Sequence, residues 1–355
     1  MTVLADRVDG VIGVDTHRDT LTAAAVSAVG GLLGQLAVAA DAAGYRRLLD
    51  FACANIPGRR CFAVEGAGSY GAGLARMLVE HGEWVVEVDR PKRPVRRGGK
   101  SDALDAVRAA REALAQERLT APRRRGDREA LRVLMATRQG AVTARTCAIN
   151  QLKALIVGAP EELRAELRGR GTSGQVAYCA ALRDRSGRSL EHRMTVRALR
   201  STARRVQLLA TEAADLEVEI VKLVRAMASW LLELPGVGPF SAAQVLVSWS
   251  HAGRVRSEAA FAALAGASPI PASSGQVTRH RLNRGGDRRL NRALHTVALV
   301  RLHDDPRTRA YAARRQAEGK SGREIRRCVK RAVARQLFKL LERYDRSAVE
   351  VIKVA

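Results

Sequence analysis

The sequence predicts a mixed α/β amino-terminal domain followed by a mainly helical remainder. Three observations carry that expectation. Residues 10–110 alternate short apolar runs with helical stretches. From about residue 127 apolar side chains recur at three- and four-residue steps. Between and after these regions the basic residues are clustered rather than evenly spread. A chain of 355 residues has room for two or three such units with real cores.

The elements follow in order. Val11 to Val14 is a first apolar run ending at Asp15, and Leu21 to Val26 is a second. Gly30-Gly31 reads as a hairpin turn into a third, Leu32 to Val38. Asp41 is placed to cap a helix reaching about Ala54. Cys61 to Val64 is a strand ending at Glu65, Ser69 opens a helix to about Glu80, Trp84 to Val88 is a strand, and a helix starts at Asp102 with Ser101 as its cap. The order β-β-β-α-β-α-β-α is the connectivity of an RNase H-like fold. A helix is expected from about Asp127 to Val157. A longer one runs from about Ser189 to Leu232, with Leu199, Val206, Leu209, Ala213, Leu216, Ile220 and Leu223 at coiled-coil-like spacing. It reads equally as a dimerisation arm or as an ordinary helical linker. The string LPGVGPFSAAQVL (234–246) joins two apolar helical segments through a small Pro-Gly-Val-Gly loop, a helix-hairpin-helix pattern. Gly236 and Gly238 would let backbone N–H groups approach a nucleic-acid phosphate.

Composition limits the function classes. Lys and Arg number 61 against 36 Asp and Glu, a formal charge of +25, which favours a polyanionic partner. Residues 90–100, RPKRPVRRGGK, hold six basic residues and no acid. They read as a phosphate-contacting loop carrying Arg93, Arg96, Arg97 and Lys100, with a solvated linker as the alternative. Residues 276–343 carry 20 basic and six acidic side chains, a poor balance for a merely solvated face. Hydrophobic residues at 46% exclude a disordered chain, and aromatics at 4% argue against a single-strand reader that relies on stacking. The cysteines (Cys53, Cys61, Cys147, Cys179, Cys328) are odd in number and form no C-x-x-C pair, so zinc ribbons and disulfide frameworks are not expected. Neither a secretory leader nor a membrane-length apolar run is visible, and a cytoplasmic location without membrane contact is expected.

Four carboxylates carry the chemistry. Asp15 and Glu65 end neighbouring strands, and Asp102 and Asp105 share a helix face three residues apart. Acids so gathered repel one another unless cations intervene, and hard oxygen ligands suit Mg²⁺ or Mn²⁺. Such a site supports phosphoryl transfer. His17, two residues beyond Asp15, reads as a surface-loop histidine, with proton transfer as its alternative role.

The strings KSDALDA (100–106), LPGVGPFSAA, FAALAGASPIPASSGQ and RLNRGGDRRLNRAL together resemble the DEDD-type insertion-sequence transposases, a family related to Piv DNA invertases and described as bridge-RNA-guided recombinases. The resemblance spans nearly the whole chain. It implies a RuvC-like catalytic domain over 8–120, a helical, coiled-coil linker and oligomerisation region over 121–232, and over 233–346 a mostly α transposase domain with the helix-hairpin-helix and a serine nucleophile. It assigns the metal-binding tetrad to Asp15, Glu65, Asp102 and Asp105, and the nucleophile to Ser274, with Ser273 the near alternative. Asn283-Arg284 stands where the family more often has Ser or Thr followed by Lys. Arg279, Arg281 and Arg284 would hold the scissile phosphate. DNA, a structured guide RNA and a homodimer or tetramer are the implied partners. Two alternatives remain open: a RuvC-like nuclease or resolvase with water as nucleophile, and a non-catalytic nucleic-acid-binding protein.

Overall fold

In the computed structural model the described residues are 2–88, 101–183, 187–272, 280–281, 283 and 285–354. They fall into two compact units. The first comprises residues up to 125 together with 250–256 and the stretch from 341 onward; the second comprises 126–249 and 257–340.

The first unit is built on a five-stranded sheet. β1 (Gly10–Thr16), β2 (Thr20–Ser27) and β3 (Leu32–Ala39) form an antiparallel meander, α1 (Ala42–Asn55) leads to β4 (Arg60–Glu65), and α2 (Ala72–Glu80) leads to β5 (Trp84–Val88). The spatial order is β3-β2-β1-β4-β5, with β4 parallel to both β1 and β5. This mixed sheet, with helices on both faces, is consistent with an RNase H-like domain. α3 (Asp102–Leu114) completes it.

Period-two alternation along β1 and β4 separates two cores. Ile12, Val14, Phe62 and Val64 face α1 and α2, where Leu48, Leu74 and Leu78 are fully buried. Val11, Cys61 and Ala63 face α3, which answers with Ala106, Ala109, Ala110 and Ala113. An alanine face allows the helix to lie close to the strands. Asp41 caps α1 as expected, accepting the Gly44 amide at 2.7 Å. Two later segments belong to the same unit. Arg254 donates to Glu87 at 2.7 Å, and Asp345 accepts the Ala252 amide at 2.9 Å.

The second unit is helical. α4 (Asp127–Val157), α5 (Glu161–Leu167), α6 (Thr172–Ala181) and α7 (Leu190–Ala228) precede α8 (Pro239–Trp249) and α9 (Glu258–Leu264). A short hairpin of β6 (Ile270–Pro271) and β7 (His280–Arg281) follows, then α10 (Arg288–Asp304), α11 (Pro306–Ala317) and α12 (Gly322–Val354). α4 and α7 run antiparallel: Arg138 pairs with Glu217, while farther along α4 Gln151 meets Arg205. The buried stripe of α7 is Val196, Leu199, Ala203, Val206, Ala213, Ile220 and Val224. Leu209, Leu216 and Leu223, expected in that stripe, are half-buried at its edge. Among the described residues, no helix is long and apolar enough to cross a membrane.

Candidate functional site

Asp15 and Glu65 sit where adjacent parallel strands end. The pairing Val14 to Val64 is the last of the β1–β4 register, so the two acids occupy the next positions. Both alternate in phase with Val11, Cys61 and Ala63 and therefore lie on the α3 side of the sheet. The Thr16 hydroxyl donates to the Glu65 carbonyl at 2.8 Å and ties the two strand ends together.

Gly13 brings the third acid. A Cβ at this position would lie 2.0 Å from the Ala106 carbonyl oxygen and 2.7 Å from the Ala110 nitrogen. Helix α3 thus rests directly on the β1 backbone, and its first residue, Asp102, reaches the strand end. Asp15 is 5% exposed, so its carboxylate is held almost out of water.

Asp15, Asp102 and His17 each offer one ligand atom, all within 4.8 Å of one another. His17 Nε2 lies 3.4 Å from Asp15 Oδ2 and 3.5 Å from Asp102 Oδ1. That nitrogen is sealed from solvent without a well-formed hydrogen bond. Two carboxylates this close, one of them buried, fit a divalent cation in both charge and donor chemistry. The residues that would hold it are Asp15 and Asp102, with His17 adjoining.

The site differs from the sequence expectation in four respects. The close group contains two of the four expected acids. Glu65 ends β4 beside it but is not part of the group. Asp105 is turned to its own helix and pairs with Arg108 at 2.8 Å. His17 belongs to the cluster instead of to a plain surface loop. Positions 13, 15 and 17 share one face by alternation, and that was the available signal. Ser101 precedes α3 in extended conformation, but its side chain makes no cap hydrogen bond.

Arg93, Arg96, Arg97, Lys100, Ser273, Ser274, Arg279 and Arg284 lie outside the described residues. Gly236 adopts φ +73°, a left-handed conformation that favours glycine. A Cβ there would meet the Val297 carbonyl at 3.0 Å. Packing against α10 therefore already requires this glycine, whereas Gly238 faces open space. The loop lies on a cavity of about 730 Å³ that Arg138, Arg289 and Arg292 also line. Arg281 is exposed on β7. Asp287, in the Gly-Gly-Asp string, is an N-cap: it accepts the amides of Arg289 at 2.8 Å and Leu290 at 3.0 Å, and the Ser248 hydroxyl at 2.5 Å.

Two family models match successive parts of the chain. A DEDD-type IS110 model, described as a transposase, matches residues 12–159, and the model of the transposase IS116/IS110/IS902 family matches residues 228–313. The chain is 28% identical over 272 residues to an uncharacterized 42 kDa protein of insertion element IS900 from Mycobacterium paratuberculosis, covering 62% of this chain and 66% of that protein. It is 35% identical over 109 residues to an uncharacterized 43.6 kDa protein of insertion element IS110 from Streptomyces coelicolor, covering 30% of this chain and 27% of that protein. The chain thus spans less than two thirds of the length of either relative. Successive parts of the chain are thus similar to the DEDD-type IS110 transposase model and to the model of the IS116/IS110/IS902 transposase family.

Proposed function

We propose that the protein is a DNA transposase that cleaves and rejoins strands through an acidic, divalent-cation-dependent site. The observation that carries this reading is the meeting of Asp15 and Asp102 at the carboxyl edge of the sheet. A bound Mg²⁺ or Mn²⁺ would supply Lewis-acid stabilisation of phosphoryl transfer there. Asp15 and Asp102 would hold the cation, Glu65 and Asp105 would complete the acidic tetrad, and His17 would fix the orientation of the two nearest carboxylates.

The finer reading assigns the nucleophile to Ser274, with Ser273 the near alternative. Its hydroxyl gives up its proton as Oγ attacks phosphorus, the Oγ–P bond forms as the bond to one strand oxygen breaks, and the released 3′ or 5′ oxygen takes up a proton to become a hydroxyl. A hydroxyl of a partner strand later reverses the link. The three-part organisation over 8–120, 121–232 and 233–346 goes with this reading. So do the helix-hairpin-helix phosphate contacts at Gly236 and Gly238, a structured bridge RNA as guide, the kinship with Piv invertases, and a homodimer or tetramer that joins two duplexes in the cytoplasm. The chain's excess of 25 positive charges suits holding two nucleic acids at once. Arg93, Arg96, Arg97, Lys100, Arg279, Arg281 and Arg284 are its proposed backbone contacts.

The test is strand excision and insertion by Asp15→Asn, Asp102→Asn and Ser274→Ala variants, with Mn²⁺ binding measured separately. Both aspartate variants should lose activity and cation affinity together. Ser274→Ala should lose only activity and the covalent protein–DNA adduct. Normal excision by either aspartate variant would remove the metal-site reading. Normal excision by Ser274→Ala would transfer the nucleophile's role to Ser273 or to water.

A further inference from the structure

A second cavity, about 340 Å³, lies wholly inside the helical unit between α12, the turn after α9 and β7. Arg281, Arg327, Lys330 and Arg331 all line it, beside apolar surface from residues such as Pro269, Tyr311 and Cys328. Arg335 lines it too, but its charge is met by Glu258 at 2.9 Å. Arg331 gives one N–H to the Glu258 backbone carbonyl at 3.2 Å. Among the described residues, no carboxylate forms an ion pair with any of the other four cations.

Lys330 decides what this means. It is only 9% exposed. Its ammonium donates to the side-chain oxygen of Asn291 at 2.8 Å, and Asn291 is itself fixed by donating to the Ala265 carbonyl at 2.6 Å. A neutral amide satisfies one N–H and none of the charge. Burying a cation without a counter-charge is strongly unfavourable, and burial pushes the Lys330 ammonium below its ordinary pKa. The neighbouring His295 is also held low, by burial and by the charges of Lys330 and Arg326, so the surroundings are electropositive as folded. A fully solvated basic face does not explain a lysine with so little exposed surface that faces a cavity and has no carboxylate partner among the described residues.

We infer that this cavity is a phosphate site for a nucleic-acid strand, in which buried Lys330 and the exposed guanidinium of Arg281 grip one backbone phosphate. The inference rests on the nucleic-acid reading above only for the source of the phosphate. Arginine brings a planar fork and lysine a point charge, a combination suited to a phosphodiester.

The test uses the full chain as wild type, Lys330→Met and Arg281→Ala. Two probes are needed: inorganic phosphate, read as a melting-temperature shift against chloride at matched ionic strength, and a short DNA duplex, read by fluorescence anisotropy across salt concentrations. Phosphate should raise the wild-type melting temperature and leave Lys330→Met unmoved. Lys330→Met should itself melt no lower than wild type without phosphate, because it loses an uncompensated buried charge. Should Lys330→Met not fold, Arg281→Ala, altered at an exposed position, carries the test. Each substitution should lower the slope of log affinity against log salt by about 1. Wild-type phosphate shifts and salt slopes in both variants overturn the inference. A phosphate shift that depends on Lys330 without any change in duplex slope overturns the nucleic-acid source. Loss of both responses in a protein that also fails to cut DNA supports the cavity and removes the transposase reading alone.

Discussion

Replacing Gly13 by alanine tests how the acidic site is assembled without touching any of its donors. The added Cβ would stand 2.0 Å from the Ala106 carbonyl oxygen, 2.7 Å from the Ala110 nitrogen and 2.9 Å from the Ala110 Cβ. An ordinary carbon–oxygen contact needs about 3.3 Å, so the helix must retreat from the strand by about 1.3 Å. Both obstructing groups are backbone or stubs on a helix and cannot swing aside. Overpacking of this kind costs about 1–3 kcal/mol in stability. The retreat also carries Asp102 away from Asp15, and a misplacement of about 1 Å costs on the order of 10²-fold in catalysis. Urea denaturation reads the first effect, Mn²⁺ titration by electron paramagnetic resonance the second, and strand excision the third. A Gly13→Ala protein within about 0.5 kcal/mol of wild type that binds Mn²⁺ normally would refute the claim that close packing of α3 builds the site.

Three further outcomes are expected. Gly140 lies exposed within α4, and a Cβ added there would meet nothing within 4 Å, so Gly140→Ala should raise stability by about 1 kcal/mol, seen as a higher urea midpoint. Burial pushes the Cys61 thiol up to about 12 and Cys179 up to about 11, whereas Cys53 and Cys147 are exposed. Iodoacetamide at mildly alkaline pH, followed by mass spectrometry of the folded protein, should therefore mark Cys53 and Cys147 and spare the other two. The folded state holds His295 below its ordinary pKa, so it binds fewer protons than the unfolded chain between the two values. The associated stability is complete above the ordinary value and is lost as pH falls through the depressed one. His295→Gln should flatten the decline in urea midpoint over that window, and an unchanged slope would contradict the assignment.

Much of the first unit could be read from the sequence because each strand advertises its own face. Trp84–Val88 and Asp127–Val157 begin and end where the apolar pattern places them. The helix expected from Ser69 starts later, at Ala72, because Ser69 and Gly71 both donate to the Gly66 carbonyl and close a turn first. The acids at strand ends were legible for the same reason as the strands. Which carboxylates meet was not, since the rotation of α3 is set by its contact with Gly13, and Arg108 competes for Asp105. Lys330 sits in a run of basic residues that looks uniformly exposed. Its burial follows from tertiary packing, and the one mark it leaves is its place three and four residues before the buried Val333 and Ala334.

The α/β unit takes in chain from three places, with Arg254 bound to Glu87 and Asp345 bound to Ala252. A fragment stopped at residue 125 would therefore be a domain with parts missing. On the ribosome, all five strands are made early, but the unit around them is completed only after the intervening helical unit has been synthesised. An interrupted product would hold Asp15 and Asp102 in an unfinished scaffold, which ties the forming of that acidic site to the translation of the later segments.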